Sequence, residues 1–564
     1  METTDKEVCN ILADVVIAHG VRRAVLSPGS RNAPLLVALA RCEEIDKYVI
    51  VDERSAAFVA LGMAQQLGEP VMLVCTSGTA VLNYAPAIAE AYYQKLPLIV
   101  VSADRPKEWI DQDDSQTIRQ FEVLSQFVKK SYDIPARCND DIARWYANRI
   151  VNDAMIEAMS GRKAPVHINV QLDEPLAGLS EYEGSQRVIE MIAPSQSVSG
   201  CDMEKLLDEA AGKDILVIAG FGEKDADLEY GLDMLASMPN VVVMTETIAN
   251  LHSSRFIKAI DRTLLAMERG DEAGYKPDLL ITVGGSIVSR IVKTFLRKNR
   301  ADIQWYVGVA ETTVDCMQTL TRRIQVEPGT FFRQFAELYS KRAVAGSAYA
   351  RKWNKLNERG IIRHNRYLDA AGWSDMKAFS LIVPSLPERC RVQLSNGTTI
   401  RYVQLFGDQL NHDSFCNRGV SGIDGSTSTS LGASLVYDGA TVLITGDMSF
   451  SYDLSGLASQ YNSPRLKIIV MCNGGGGIFR FIKSTSELPE LEHYFEVGRD
   501  IPVDRYAAAF GFKYFEVCSE DDLCAVLPVF WGYEDSAAIL AVRTDNVASA
   551  ETLRNYFRRE KIKE

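Results

Sequence analysis

Two apolar runs that each end on a chemistry-bearing residue do most to limit what this chain can fold into. In the segment from Thr441 to Phe481, TVLITGDMSFSYDLSGLASQYNSPRLKIIVMCNGGGGIFRF, a strand-like run delivers Gly446 and Asp447. A helical stretch follows, and a second strand then delivers Asn473 and a run of glycines. Strand, helix, strand predicts two parallel strands of one sheet, and ligands of open parallel sheets sit beyond the carboxyl ends of the strands. Asp447 and Asn473 are therefore expected to face one site. An Asp carboxylate, an Asn amide oxygen and a backbone carbonyl from the glycine run, at Gly475, form a hard oxygen set suited to Mg²⁺ or Mn²⁺, with diphosphate oxygens completing the shell. The glycines let the backbone approach phosphates closely. An isolated Gly-Asp is more often a simple turn; the spacing to Asn473 favours the ligand-binding reading.

The same alternation runs through the rest of the chain. Apolar residues recur at helical spacing from Asp5 to His19, Gly20 stops the helix, and Arg23 to Leu26 reads as a strand entering SPGSRNAPL. Tyr48 to Val51, Val71 to Cys75 and Leu98 to Ser102 read as further strands, with helices from Ser55 and Thr79 between them. Periodicity fades from Pro175 to Ser199, where a linker is expected. A second unit carries ILVIAG, VVVMT, LLITVGG and WYVGV and ends before a second linker at Lys341 to Tyr349; the last third carries RVQLSNG, TVLITGD, LKIIVMCN, KYFEV and AILAVRTD. The 564 residues exceed what one core organises. The expected architecture is α/β: three consecutive doubly wound parallel-sheet domains, at 1–190, 191–345 and 346–564.

Bulk chemistry narrows the function. Hydrophobic residues at 47% and charged residues at 24% describe a folded chain. The polar start, METTDKEVCN, lacks a signal-peptide pattern, and the longest apolar runs are strand-length, so no membrane span is expected. Eleven cysteines lie scattered without a CxxC pair, which fits reduced thiols in the cytoplasm rather than a disulfide framework or a zinc site. A net charge of −13 argues against nucleic acid or an anionic membrane as the main partner. No strand leads into a GxGxxG with a ribose-binding acid, which disfavours an NAD-dependent oxidoreductase. His167, inside PVHINV, reads as a packed structural residue, and no histidine is assigned to the chemistry.

Asp52 and Glu53 stand at the start of a helix, where acids simply favour the helix dipole. Combined with Asp447 and Asn473, however, they resemble the thiamine diphosphate enzymes, although Met448 stands where that signature usually has Gly. Over nearly the whole chain, and more weakly in the middle, the sequence is similar to the 2-succinyl-5-enolpyruvyl-6-hydroxy-3-cyclohexene-1-carboxylate synthases, the MenD family of menaquinone biosynthesis. The likeness rests on SPGSRNAPL at 27 to 35, DERSAAFVALGMA at 52 to 64, TSGTAVLNYAPAIAEA at 76 to 91, SADRP at 102 to 106 and NRGVSGIDGSTST at 417 to 429.

The resemblance implies a transferase that decarboxylates 2-oxoglutarate and joins the product to isochorismate by conjugate addition. It implies Glu53 at the cofactor's pyrimidine ring, with Ser30, Arg31 and Gln116 in the catalytic set. Arg31, Arg105, Gln116, Arg290, Asn396, Arg401 and Arg418 are the implied substrate contacts, with Gly397 standing where a Ser is often found. Ile423 is the residue implied to prop the cofactor; Gly446, Asp447, Ser449, Asn473, Gly475, Ile478 and Phe479 complete its site. Both substrates are dicarboxylates, for which guanidinium groups are apt partners. Arginines and a Gln with few acids nearby would suppress protonation of a carbanion and favour its addition to a second substrate. The family further implies a homodimer or homotetramer with sites at subunit interfaces. The alternative is another thiamine-dependent decarboxylase or carboligase, such as an acetohydroxyacid synthase, which would need fewer carboxylate clamps.

Overall fold

The computed structural model describes residues 2–194, 196–342 and 346–558. Of the second expected linker, Ala343, Val344 and Ala345 lie outside the described residues, as do the outermost expected domain limits at Met1 and Glu564.

Among the described residues three parallel sheets carry the fold, in keeping with the α/β expectation. The first holds Arg23–Leu26, Asp46–Val49, Val71–Cys75, Leu98–Asp104, Ser131–Ile134 and Val166–Gln171. Numbered along the chain, these lie in the order second, first, third, fourth, sixth, fifth, with parallel ladders throughout. The central sheet holds Ile215–Ala219, Val241–Thr245, Leu279–Val283, Ile303–Val307 and Arg322–Ile324, in the order second, first, third, fourth, fifth. The third holds Cys390–Leu394, Ser414–Cys416, Ala440–Gly446, Leu466–Cys472, Lys513–Val517 and Ala538–Arg543. Its order is that of the first sheet.

The central sheet shows why the strands are almost wholly apolar. Ile215, Val217 and Ala219 pack into one core with Leu279 and Ile281, while Leu216 and Ile218 pack into another with Met244 and Leu280. Alternate side chains thus enter separate cores on opposite faces, as a sheet covered by helices on both sides requires. The expected first linker is mostly irregular but contains Leu179–Glu181, which pairs antiparallel with Glu2–Thr4.

By backbone packing the described residues fall into two compact units. One comprises those of 1–194, 417–441 and 452–466, and the other those of 196–416, 442–451 and 467–558. In the first unit, helix Glu53–Leu67 lies against helix Ser426–Val436 at backbone distance. A Cβ on Gly62 would stand 2.0 Å from the Thr429 carbonyl oxygen, and one on Gly432 would stand 2.0 Å from that of Val59. Helix Glu53–Leu67 begins earlier than Ser55 because the Asp52 carboxylate caps it, accepting from the backbone N–H of Arg54 at 3.0 Å and Ser55 at 3.4 Å.

Candidate active site

The strand Ala440–Gly446 passes directly into helix Asp447–Tyr452, which puts Asp447, a residue of the second unit, at the carboxyl end of its sheet. The backbone N–H groups of Gly474 and Gly475 donate to Asp447 Oδ2 at 2.8 and 3.0 Å, and that of Met448 donates to Oδ1 at 2.7 Å. Burial pushes the Asp447 carboxyl up to about 7 against the pull of these donors. Asp447, Asn473, Gly474 and Thr544 line one cleft of about 180 Å³. Gly474 and Gly475 have φ of 90° and 146°, and a Cβ on Gly475 would stand 2.7 Å from the Glu496 carbonyl oxygen, so this backbone path needs glycine.

Asn473 donates through Nδ2 to Asp375 at 2.9 Å, while its Oδ1 is buried with no hydrogen-bond partner. A buried amide oxygen left without a donor is costly unless a ligand completes it. The Gly475 carbonyl accepts from Gly477 N–H at 2.8 Å and keeps a second lone pair. These oxygens fit a hard divalent cation. No cluster of three or more His, Cys, Asp or Glu suited to a metal occurs among the described residues. Any cation here would therefore depend on the single carboxylate of Asp447, on neutral oxygens and on those of its ligand. Gly446 donates its N–H to Ser395 Oγ at 3.3 Å, Ser449 is buried, and Ile478 and Phe479 are half-buried, with the Phe479 ring 5.7 Å from that of Phe495.

In the first unit, cations gather at the carboxyl ends of the first sheet. Arg31 is buried, donates to the Leu172 carbonyl at 3.0 Å and pairs with Glu174 at 2.9 Å. Burial, and then the neighbouring charge of Arg105, lower its pKa. Arg105 pairs with Asp114 at 2.8 Å and donates to the Ser115 carbonyl at 3.0 Å. Ser30 and Gln116 are exposed. Gln116 adopts φ of 55°, its carbonyl accepts from Ser77 Oγ at 2.9 Å, and its Cγ lies 3.1 Å from where a Cβ on Gly78 would stand. The sequence led us to expect few acids here. Instead each guanidinium is already held by one, because a buried cation without an anion is too costly to keep. Glu53, at the first position of its helix, has no hydrogen-bond or ion-pair partner among the described residues, and its charge adds to burial, the main cause, in raising the pKa of Cys75 and Tyr84.

Residues 6–123 match the family described as thiamine pyrophosphate enzyme, N-terminal TPP binding domain. Over 98% of this chain and 97% of the relative, the sequence is 41% identical to a 2-succinyl-5-enolpyruvyl-6-hydroxy-3-cyclohexene-1-carboxylate synthase of Porphyromonas gingivalis. The synthase of Flavobacterium johnsoniae is 36% identical over 97% of this chain and 98% of the relative. That of Bacteroides thetaiotaomicron is 33% identical over 99% and 100%. The chain belongs to this synthase family.

Within a synthase of this family, the loop 417–425 that carries Arg418 and Ile423 has an anchor that the sequence reading missed. Glu90, 2% exposed, accepts the backbone N–H groups of Gly419 at 2.5 Å and Val420 at 2.7 Å, and Gln94 Nε2 at 2.6 Å. Ile423 is exposed on that loop. Also missed was a polar ladder under Arg31 and Arg105. Asn169 donates to Asp104 at 3.0 Å and Asp133 at 2.9 Å, and Gln120 donates to Asn169 at 2.8 Å while accepting the Gly78 N–H at 3.1 Å. Burial pushes Asp104 up to about 6. The available signal was polar residues inside an otherwise apolar strand, HINVQ.

In the second unit Asn396 is buried, with Cys416 Sγ 3.5 Å from its Oδ1, and Arg401 Nη1 donates to the Gly397 carbonyl. Arg290 opens helix Arg290–Lys298 and is exposed, whereas Lys293 reaches back to the Ile287 carbonyl at 2.8 Å.

Proposed function

We propose that this synthase uses thiamine diphosphate and a divalent cation to decarboxylate 2-oxoglutarate and to add the remaining four-carbon unit to isochorismate. The product would be 2-succinyl-5-enolpyruvyl-6-hydroxy-3-cyclohexene-1-carboxylate, with CO₂ released. The carrying observation is Asp447 and the orphaned Asn473 oxygen on one cleft of the second unit; in the first unit, the guanidinium groups of Arg31 and Arg105 support a carboxylate substrate. When bound, thiamine diphosphate supplies the electron sink that lets a 2-oxo acid lose CO₂ and its carbonyl carbon attack an electrophile.

In this reading Asp447, Asn473 and the Gly475 carbonyl hold Mg²⁺ or Mn²⁺. Gly446, Ser449 and the glycine run receive the diphosphate. Glu53 binds the pyrimidine, Ile423 supports the cofactor, and Ile478 and Phe479 form an apolar wall. Arg31, Arg105, Arg401 and Arg418, with Arg290, Asn396, Ser30 and Gln116, bind carboxylates and orient the reacting groups; substrate displaces the acids that now pair with the guanidiniums. The three sheets support domains at 1–190, 191–345 and 346–564.

A homodimer or homotetramer fits the exposure of Val51, Val420 and Tyr452 on the first unit, since large apolar side chains near a site commonly mark contact surface. Among the described residues no helix is long and apolar enough to cross a membrane, and the eleven cysteines form no disulfide, which suits a cytoplasmic enzyme.

The deciding assay supplies 2-oxoglutarate and isochorismate with thiamine diphosphate and Mg²⁺. Product should form only with all four present. Turnover of pyruvate alone at comparable rate would favour the acetohydroxyacid synthase reading instead.

A further inference from the structure

Asn473 can present either end of its amide to the cleft, and only one end can hold a cation. We infer that Asp375 is the positioning residue that makes this choice: its buried carboxylate takes the amide nitrogen of Asn473 and so aims the amide oxygen at the cation site. The inference rests on the proposed role of Asn473, and on four observations that are independent of it.

Asp375 is 2% exposed at the start of helix Asp375–Ser385, far from Asn473 in sequence, and no solvent is available to replace a lost partner. Both of its oxygens are engaged, since Oδ2 receives Asn473 Nδ2 at 2.9 Å and Oδ1 receives the Thr544 hydroxyl, while its own N–H donates to Ser549 Oγ at 3.0 Å. The other end of the same amide, Asn473 Oδ1, is buried and unpartnered. Turning the amide over would set its oxygen against the Asp375 oxygen, acceptor against acceptor, and point an N–H donor at the place a cation would occupy. Both contacts are unfavourable, so the carboxylate and the cation select one orientation. Asp375 also ties two pieces of the cleft wall to a neighbouring helix. Asn473 follows strand Leu466–Cys472, Thr544 follows strand Ala538–Arg543, and Ser549 lies in the first turn of helix Asn546–Phe557.

The test is Mn²⁺ binding in the presence of thiamine diphosphate, read by electron paramagnetic resonance of free Mn²⁺ and so independent of turnover. Asp375→Asn keeps the shape but can offer its own amide N–H to the Asn473 oxygen; it should weaken Mn²⁺ roughly 10- to 100-fold, as loss of an outer partner of a metal ligand does. The double variant Asp375→Asn with Asn473→Asp reverses the polarity of the contact, the introduced amide donating to a carboxylate whose second oxygen faces the cleft. It should regain most of the lost affinity. Wild-type affinity in Asp375→Asn would overturn the inference, and so would a double variant no better than the single one. If Asp375→Asn folds poorly by circular dichroism, the double variant alone still decides, by binding Mn²⁺ or failing to. Failure of Asn473→Ala to weaken Mn²⁺ would instead remove the cation role of Asn473 itself.

Discussion

The first and third sheets share one strand order and differ in the residues set just beyond each strand. After the first strands come Ser30 and Arg31 in one sheet and Asn396 in the other; after the second, Glu53 and Arg418. The third strands lead into Thr76-Ser77-Gly78 and into Asp447, and the fourth into Arg105 and Asn473. Topology fixes where a ligand can be met, at carboxyl ends where backbone groups and side chains are free to converge. The residues placed there divide the labour. The first and fourth strands of the first sheet present cations steadied by acids, suited to carboxylates, and the third and fourth strands of the third present oxygens suited to a cation. The sheets also differ beneath those ends: the sixth strand of the first carries His167, Asn169 and Gln171, whereas the sixth of the third is apolar from Ala538 to Val542.

The largest expected difference lies at the third strands. Asp447→Ala should lower kcat/KM by more than the roughly 100-fold seen for outer partners of metal ligands, with lost cofactor retention, because it removes the one acid in the cation set. Ser77→Ala, at the equivalent strand end of the first sheet, should cost under about tenfold, since it removes a single neutral hydrogen bond. Equal losses, measured as kcat/KM and as thiamine diphosphate affinity by fluorescence titration, would break the division.

The fourth strands sharpen it. Arg105→Ala removes charged hydrogen bonds that contribute about 1.5–3 kcal/mol, so KM for a dicarboxylate substrate should rise roughly 10- to 150-fold while cofactor affinity stays within about twofold. A shift in cofactor affinity as large as the shift in KM would place Arg105 on the wrong side of the comparison.

How far the sequence alone carried this picture depends on how local each feature is. Strands such as Leu98 to Val101 or Lys467 to Met471 are continuous apolar runs because both faces are buried, so the alternation and the α/β class could be read directly. Asp447 and Asn473 could be read for the same reason, since each follows such a run. Short strands without an apolar run escaped, as at Ser131–Ile134, Arg322–Ile324 and Ser414–Cys416. So did every feature that needs a distant partner. Nothing around Glu90 announces that it will accept two N–H groups from a loop over three hundred residues away, and Asp375 reads as an ordinary first-turn acid until Asn473 lies beside it. The strand order was likewise out of reach, because it is a property of long-range pairing.

Glu90 offers a test of a missed anchor. Glu90→Gln places an NH₂ where a carboxylate oxygen accepted Gly419 or Val420, leaving a buried donor facing a donor at a cost of about 1–3 kcal/mol. The urea midpoint should fall accordingly, and amide exchange at Gly419 and Val420 should quicken while that at Gly474 and Gly475 does not. Unchanged exchange at Gly419 and Val420 would show that the loop is held by other contacts.

The smallest effect concerns the buried polar strand, and its sign is fixed by burial. His167 is fully buried, with Nε2 2.7 Å from Ser102 Oγ, and desolvation lowers its pKa from 6.5 to about 4 even though the charge of Asp133 pulls upward. Between those values the unfolded chain binds a proton that the folded chain declines, so stability falls as pH drops from 6.5 toward 4, by at most about 1.4 kcal/mol per pH unit. Asp104, pushed up to about 6, acts in the opposite sense below that pH, since its folded form takes up a proton before the unfolded chain does. The net slope of the wild type therefore mixes these with other buried groups such as Asp447 and His364, and only a difference isolates His167. His167→Gln keeps a polar side chain beside Ser102 and removes the titration, so its melting temperature should fall less steeply than that of the wild type between pH 6.5 and 4.5, whatever its absolute stability. The apolar sixth strand of the third sheet has no titrating group between Ala538 and Val542 to add to this slope. Parallel curves for the two proteins would mean that His167 is protonated in the folded chain and that the first sheet owes none of its acid sensitivity to that strand.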